Sequence, residues 1–183
     1  MQRIIRWQAL SSLGLEHLCL HQDSTKITAE SLIVGTAEDA AYGLRYHIVC
    51  DPGWRVQAVR VELVGEDRLC ALTADGSGHW FDATGSALPQ LDGCIDVDIE
   101  ATPFTNTLPI RRLDLPVGES RDIRVLYITV PDLELSAVMQ TYTCLRPGRL
   151  YRYAGFPSGF SADLETDPDG LVIHYPELFQ QFV

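Results

Sequence analysis

The chain has 183 residues, 46% of them hydrophobic, and a formal net charge of −11 from 25 acidic and 14 basic residues. That length and composition suit one folded domain with a sizeable core and exclude a disordered segment. The charge repels phosphate backbones and anionic headgroups, which argues against nucleic acid as a partner, and no basic run offers a membrane anchor.

No apolar run reaches the roughly 18 residues of a transmembrane segment. The N-terminal stretch MQRIIRWQALSSLGLEHL is interrupted by Arg6, Gln8, Ser11 and Ser12, and no small-x-small cleavage site closes it. It reads as mature protein, and the expected location is the cytoplasm. The five cysteines, Cys19, Cys50, Cys70, Cys94 and Cys144, are widely spaced and odd in number, with no CxxC. They are expected to be reduced thiols.

In chain order, almost everything reads as strand. Arg3 to Leu10 is a β-branched start. Leu15 to His21 alternates, with Leu18 and Leu20 on one face beside Glu16, and His17, Cys19 and His21 on the other. Ile27 to Gly35 and Tyr42 to Cys50 are strand-like, joined by TAEDAA, where a single helical turn is expected. Asp51-Pro52-Gly53 is a turn. Trp54 to Val64 carries a phase slip: Trp54, Val56 and Ala58 keep one register, Val59, Val61 and Leu63 the other. A bulge near Ala58 keeps both sets facing the core. Arg68 to Ala74, the hairpin turn Asp75-Gly76-Ser77-Gly78 and the strand His79-Trp80-Phe81 follow.

Asp92 to Leu113, DGCIDVDIEATPFTNTLPIRRL, is the stretch with the most chemistry. Ile95, Val97 and Ile99 alternate with Cys94, Asp96, Asp98 and Glu100 on a strand. ATPFTNTLP then reads as a rigid polar loop, and Arg111-Arg112 as a guanidinium pair on the following strand. Beyond it, Ile123 to Val130 is apolar on both faces. Met139 to Leu145, Leu150 to Tyr153, Phe160 to Leu164 and Leu171 to His174 are further strands, and the tail Pro176 to Phe182 is expected to form one helical turn. About a dozen strands without a long helical period predict an all-β domain: one sheet, closed or strongly curled.

There is no HExxH, GxSxG, phosphate loop or zinc spacing, so no cofactor, metal or catalytic residue is assigned. His17 and His21 lie about 13 Å apart on a strand, too far to share a metal. Asp75, Ser77 and His79 alternate through a hairpin turn without the orienting groups a triad needs. Asp96 and Asp98 stand about 6.5 to 7 Å apart at their Cα atoms. That spacing leaves four readings open: a solvated face, ion pairs with Arg111 and Arg112, a binding site, or carboxylate catalysis of the kind used on glycosides. Trp54, Trp80 and Phe104, beside turns or polar residues, are candidates for half-exposed rings that stack on a sugar.

The segment GCIDVDIEATPFTNTLPIRRL (93–113) resembles the signature of a bacterial family labelled "putative glycolipid-binding", once a domain of unknown function. WQALSSLGLEHLCL, LRYHIVCDPGWRVQAVRV, LTADGSGHWFDATGSALPQLDGC, VPDLELSAVMQTYT and DPDGLVIHYPELF match its pattern in order. The resemblance implies a long antiparallel sheet rolled on itself, like carriers that hold lipids in a half-open barrel. It brings no catalytic residues. The expected function is therefore binding of a glycolipid or other amphipathic small molecule: acyl chains in an apolar cavity, and the headgroup at a mouth formed by Thr102, Phe104, Thr105, Asn106 and Thr107 with Asp96, Asp98, Arg111, Arg112, Trp54 and Trp80. The alternatives are a sugar-processing enzyme using Asp96 and Asp98, and an interaction protein without a ligand.

Overall fold

Apolar residues recur every second position along most of the chain, and each such run becomes a strand with one buried face. The computed structural model describes residues 1–37 and 40–182. Its strands are β1 (Gln2–Ala9), β2 (Gly14–Gln22), β3 (Ile27–Ala37), β4 (Ala40–Cys50), β5 (Val56–Leu63), β6 (Leu69–Ala74), β7 (Trp80–Asp82), β8 (Asp96–Ile99), β9 (Ser120–Ile128), β10 (Leu135–Arg146), β11 (Leu150–Phe156), β12 (Ser161–Thr166), β13 (Val172–Tyr175) and β14 (Phe179–Phe182). One sheet holds them in the order β7-β6-β5-β4-β3-β2-β1-β14-β13-β12-β11-β10-β9-β8. It is a long curled sheet that does not close into a barrel. All neighbours pair antiparallel except β8 with β9, which are parallel.

The two ends of the chain meet in the middle of the sheet, where Arg6 pairs with Phe182 and Ala9 with Phe179. The tail therefore forms a strand, not the expected helical turn. Four short residues would not hold a strand alone; the unpaired edge of β1 supplies the ladder. The helical turn expected at TAEDAA centres on residues 38–39, outside the described residues.

The phase slip in β5 is a bulge. Val49 pairs with Ala58 and Cys50 with Val56, which leaves Gln57 without an opposite residue. Val56, Val59, Val61 and Leu63 are consequently all buried. The Asp75–Gly78 turn is followed by β7 as expected. Gly78 has φ +106, and a Cβ there would lie 3.0 Å from the Cα of Gly93. Only glycine allows this close backbone approach, which is sealed by the hydrogen bond from Gly93 N to Gly78 O at 2.9 Å.

The largest departure from the sequence reading lies between β8 and β9. ATPFTNTLP is neither a loop nor exposed. Phe104–Asn106 is a 3-10 turn that runs into a helix, α1 (Thr107–Leu113), and residues 102–110 are all buried. Pro109 falls in the first helical turn, where its missing N–H is not needed, and Arg111 and Arg112 occupy the last turn, where positive charge suits the helix dipole. Asp114 closes the helix at φ +43, its N–H bonded to Ile110 O. Parallel strands need a crossover, and this helical plug is the crossover.

The plug fills the inside of the curl. Phe104 and Leu108 join Val97, Ile99, Leu126 and Ile128 in the main core with the inward residues of β1 to β6. Ile110 joins a second cluster with Val125, Tyr142, Cys144, Tyr151 and Leu164. Val125 and Leu126 thus serve different clusters, as expected of a strand apolar on both faces. Among the described residues no helix is long and apolar enough to cross a membrane. The five cysteines are free.

Candidate functional site

Strand alternation sends Val97 and Ile99 one way and Asp96 and Asp98 the other, as expected, while Ile95 is only half-buried. Asp96 does not meet solvent, and Asp98 is half-buried. They meet α1 and β10, because the plug covers that face. Asp96 is completely buried and takes a bidentate grip from Arg112: Nε to Oδ1 at 3.0 Å and Nη2 to Oδ2 at 2.5 Å. The ion-pair reading of the acidic strand therefore holds for Asp96, where the solvated-face reading fails; Glu100 on the same face is exposed. Arg111 turns the other way. Its guanidinium lies 5.4 Å from the ring centroid of buried Trp54, a cation–π contact. Helical geometry, not strand alternation, separates the two arginines.

Asp98 accepts from Thr105 Oγ1 at 3.0 Å and from Gln140 Nε2 at 2.6 Å. Tyr142 OH donates to Asn106 Oδ1 at 2.9 Å and lies 3.4 Å from Gln140 Oε1. One network so joins β8, the plug and β10. Burial pushes the Asp96 and Asp98 carboxyls up, against the opposing pull of Arg112 on the first and of Gln140 and Thr105 on the second.

A cavity of about 980 Å³ opens beside this network, between the two halves of the sheet. Asp98, Thr102 and Asn106 reach it from the β8 side. Trp7, Glu16 and Ile33 line it from β1 to β3. Tyr127, Tyr153, Phe160, Tyr175 and Phe179 line it from the other half. Among the rings, Tyr153, Phe160 and Tyr175 lie 6.2 to 6.3 Å apart in a triangle. Ser11, Ser12, Asp132, Glu134 and Ser158 form an exposed rim. Polar groups thus stand at the buried floor as well as the rim. A purely apolar interior with one polar mouth, expected from sequence, is not what the cavity offers.

The residue that sequence reasoning passed over is Glu16. It shares the inward face of β2 with Leu18 and Leu20 and is 4% exposed. Its Oε1 accepts from Tyr46 OH at 2.6 Å and Ser31 Oγ at 2.8 Å. Its Oε2 is buried without a hydrogen-bond partner, with the Thr102 side chain nearby. Desolvation raises its pKa to about 7, against the hydrogen bonds that favour the ionised form. The signal was present in the sequence as a lone carboxylate on a strand face otherwise made of leucines.

Residues 4–181 match the family described as "putative glycolipid-binding". The chain belongs to this family. A crystal structure of a DUF1089 family protein from Pseudomonas aeruginosa is similar to it, at 41% identity and a TM-score of 0.83, with 92% of each chain covered. No curated protein matches it.

Of the residues singled out from sequence, then, the structure brings Asp98, Thr102 and Asn106 to the cavity. Thr105 stands behind them as a donor to Asp98. Phe104 is buried with its ring stacked on Tyr46, centroids 6.4 Å apart. Thr107, Trp54 and Trp80 are buried away from the cavity, the Trp80 indole donating to Cys94 O at 2.7 Å. Asp96 and Arg112 lie further along the same face of β8, outside the cavity lining, with Arg112 beside a smaller cleft of about 440 Å³. Asp75, Ser77 and His79 do come together, but Ser77 Oγ and Asp75 Oδ2 both face His79 Nδ1, at 3.2 and 2.8 Å. A triad uses both ring nitrogens, so this cluster is a turn cap.

Proposed function

We propose that this chain binds an amphipathic small molecule, best fitted by a glycolipid, in the 980 Å³ cavity and with its polar head inward. The observation that carries the reading is the floor of that cavity. Glu16, Asp98, Thr102 and Asn106 place carboxylate, hydroxyl and amide groups deep inside, next to aromatic faces from Tyr153, Tyr175 and Phe179. Sugar hydroxyls need such convergent polar partners, and the C–H face of a sugar ring packs on aromatic rings. The tail leaves toward Val130, Leu178 and half-exposed Phe160. Volume and mixed lining match small-molecule sites in general, and the family description points the same way.

An enzyme that processes the same sugar would need two carboxylates free at one cleft. Asp96 is committed to Arg112, so Glu16 and Asp98 inherit that reading. Native mass spectrometry of the purified protein tests binding. The expected result is a 1:1 complex with a co-purified or added glycolipid, lost in Ala101→Trp, which fills the cavity from the end of β8. Recovery of intact ligand supports binding; recovery of cleaved sugar supports the enzyme. Absence of any complex with glycolipids or simple lipids would leave the interaction-protein reading.

A further inference from the structure

Strands β1 to β7 alternate in direction, as do β9 to β14, so the turns gather at two ends of the sheet. The two ends differ in chemistry. At one end Asp23, Asp51, Asp75 and Asp167 each open a turn and accept a backbone N–H from it at 2.7 to 2.9 Å. The other end holds the mouth of the cavity, lined by Ser11, Ser12, Ser158 and Phe160. There the β1–β2 turn lies within the uncharged run 7–15, and the β11–β12 turn within the uncharged run 153–162. Both present apolar tips. Leu13 is 80% exposed and Phe156 71%, the two highest values among the large apolar side chains of the described residues. The tips are held out by bonded backbone. Leu10 N donates to Leu178 O at 2.8 Å, Thr36 N to Leu13 O at 2.9 Å and Gly155 N to Phe160 O at 2.9 Å. Exposed apolar groups gathered at one place mark a contact surface. Head-first binding, moreover, leaves the tail of a ligand at this same mouth. Resting on that reading of the cavity, we infer that the mouth end docks on a lipid surface without net charge, with Leu13 and Phe156 entering its headgroup layer.

The geometry suits the transfer. A glycolipid that leaves a bilayer head first passes its sugar into the protein while its chain stays in lipid, so the chain never crosses water. Charge selects the surface. A charged side chain is costly to bury among acyl chains, and the two runs that carry the tips bring none. Between them stands the β13–β14 turn with exposed Glu177. Elsewhere on the rim Glu134 is exposed, and Asp132 lies 3.4 Å from Arg68. The charge left over is negative, and the chain as a whole carries −11, so an anionic leaflet repels this end. Val117 is nearly as exposed, at 65%, but it precedes β9 at the opposite end of the sheet.

The test is flotation with vesicles of phosphatidylcholine alone and of phosphatidylcholine with phosphatidylglycerol. The wild-type chain should float with the first and more weakly with the second. The double variant Leu13→Ser, Phe156→Ser should lose about tenfold or more of its binding to phosphatidylcholine vesicles, whereas Val117→Ser should keep it. Leu13→Trp checks the contact without removing it. The native tryptophans Trp7, Trp54 and Trp80 are buried, so a blue shift on adding vesicles reports position 13. Neither Leu13 nor Phe156 lines the cavity, so every variant should take up monomeric dodecyl glucoside like the wild type in titration calorimetry, which also shows that it is folded. Glucoside binding without flotation of the wild type overturns the docking and leaves the glycolipid reading standing. Flotation without glucoside binding keeps the docking and removes the cavity reading. Flotation of the double variant at the wild-type level, a preference for the anionic vesicles, or an unshifted Leu13→Trp spectrum overturns the inference. So does a wild-type dimer in analytical ultracentrifugation that the double variant dissociates, because a second copy then covers the tips.

Discussion

Arg112 and Asp96 form a closed pair: a guanidinium with 13% of its side chain exposed against a carboxylate with none. Such a pair contributes little relative to a well-packed apolar substitute, but losing one partner strands the other charge. Arg112→Ala should destabilise the fold by about 3 to 5 kcal/mol in urea denaturation. The double change with Asp96→Asn should recover part of that loss, because no buried charge remains. Equal stability of Arg112→Ala and the wild type would mean that Asp96 is solvated. Glu16 makes a prediction of its own. Its folded pKa of about 7 lies above the ordinary glutamate value of 4.5, so between those values the folded state holds a proton that the unfolded chain has released. The resulting stability is fully present below 4.5 and is lost as pH rises through about 7. By linkage the loss is on the order of 3 kcal/mol. Urea midpoints from pH 4.5 to pH 8 should therefore fall more steeply in the wild type than in Glu16→Gln; parallel curves would contradict the buried carboxyl.

Among elements, the plug from Phe104 to Leu113 decides where the site sits. Phe104 is fully buried and stacks on Tyr46, whose hydroxyl holds Glu16. Truncation to Phe104→Ala should cost about 3 to 5 kcal/mol through the cavity it leaves and should also weaken ligand binding, since Tyr46 loses the ring that fixes it. Unchanged stability would place Phe104 outside the core. This element was the least legible in the sequence. Thr, Pro and Asn in close succession favour turns by local propensity, yet burial against two sheet halves overrides that preference in a helix of only seven residues. The weak helical signal was Phe104 and Leu108 four apart, with Pro109 early and two arginines late. The strands were legible because alternation states their buried face directly, and the β5 bulge because Val56 and Val59 are both apolar across a phase break. The pairing of β1 with β14 joins residues at opposite ends of the chain, and no local pattern encodes it. Arg112 was legible as a partner for an acid; Glu16 was legible only as a lone carboxylate on a leucine face, because its role depends on the cavity that distant strands enclose.

At the scale of the molecule, the curled sheet leaves its two halves facing each other across the plug, and the cavity is the part of that space the plug does not fill. The central claim is that a ligand enters there head first. A different location is available on the outer surface, where Leu32 and Val34 are exposed on β3. Photo-cross-linking distinguishes them most directly, using dodecyl glucoside with a diazirine either on the sugar or at the end of the chain, followed by peptide mapping. The sugar probe should label residues of 98–106 and Glu16, the tail probe Val130, Phe160 and Leu178, each at one adduct per chain. Labelling by both probes confined to Leu32 and Val34 would contradict the account.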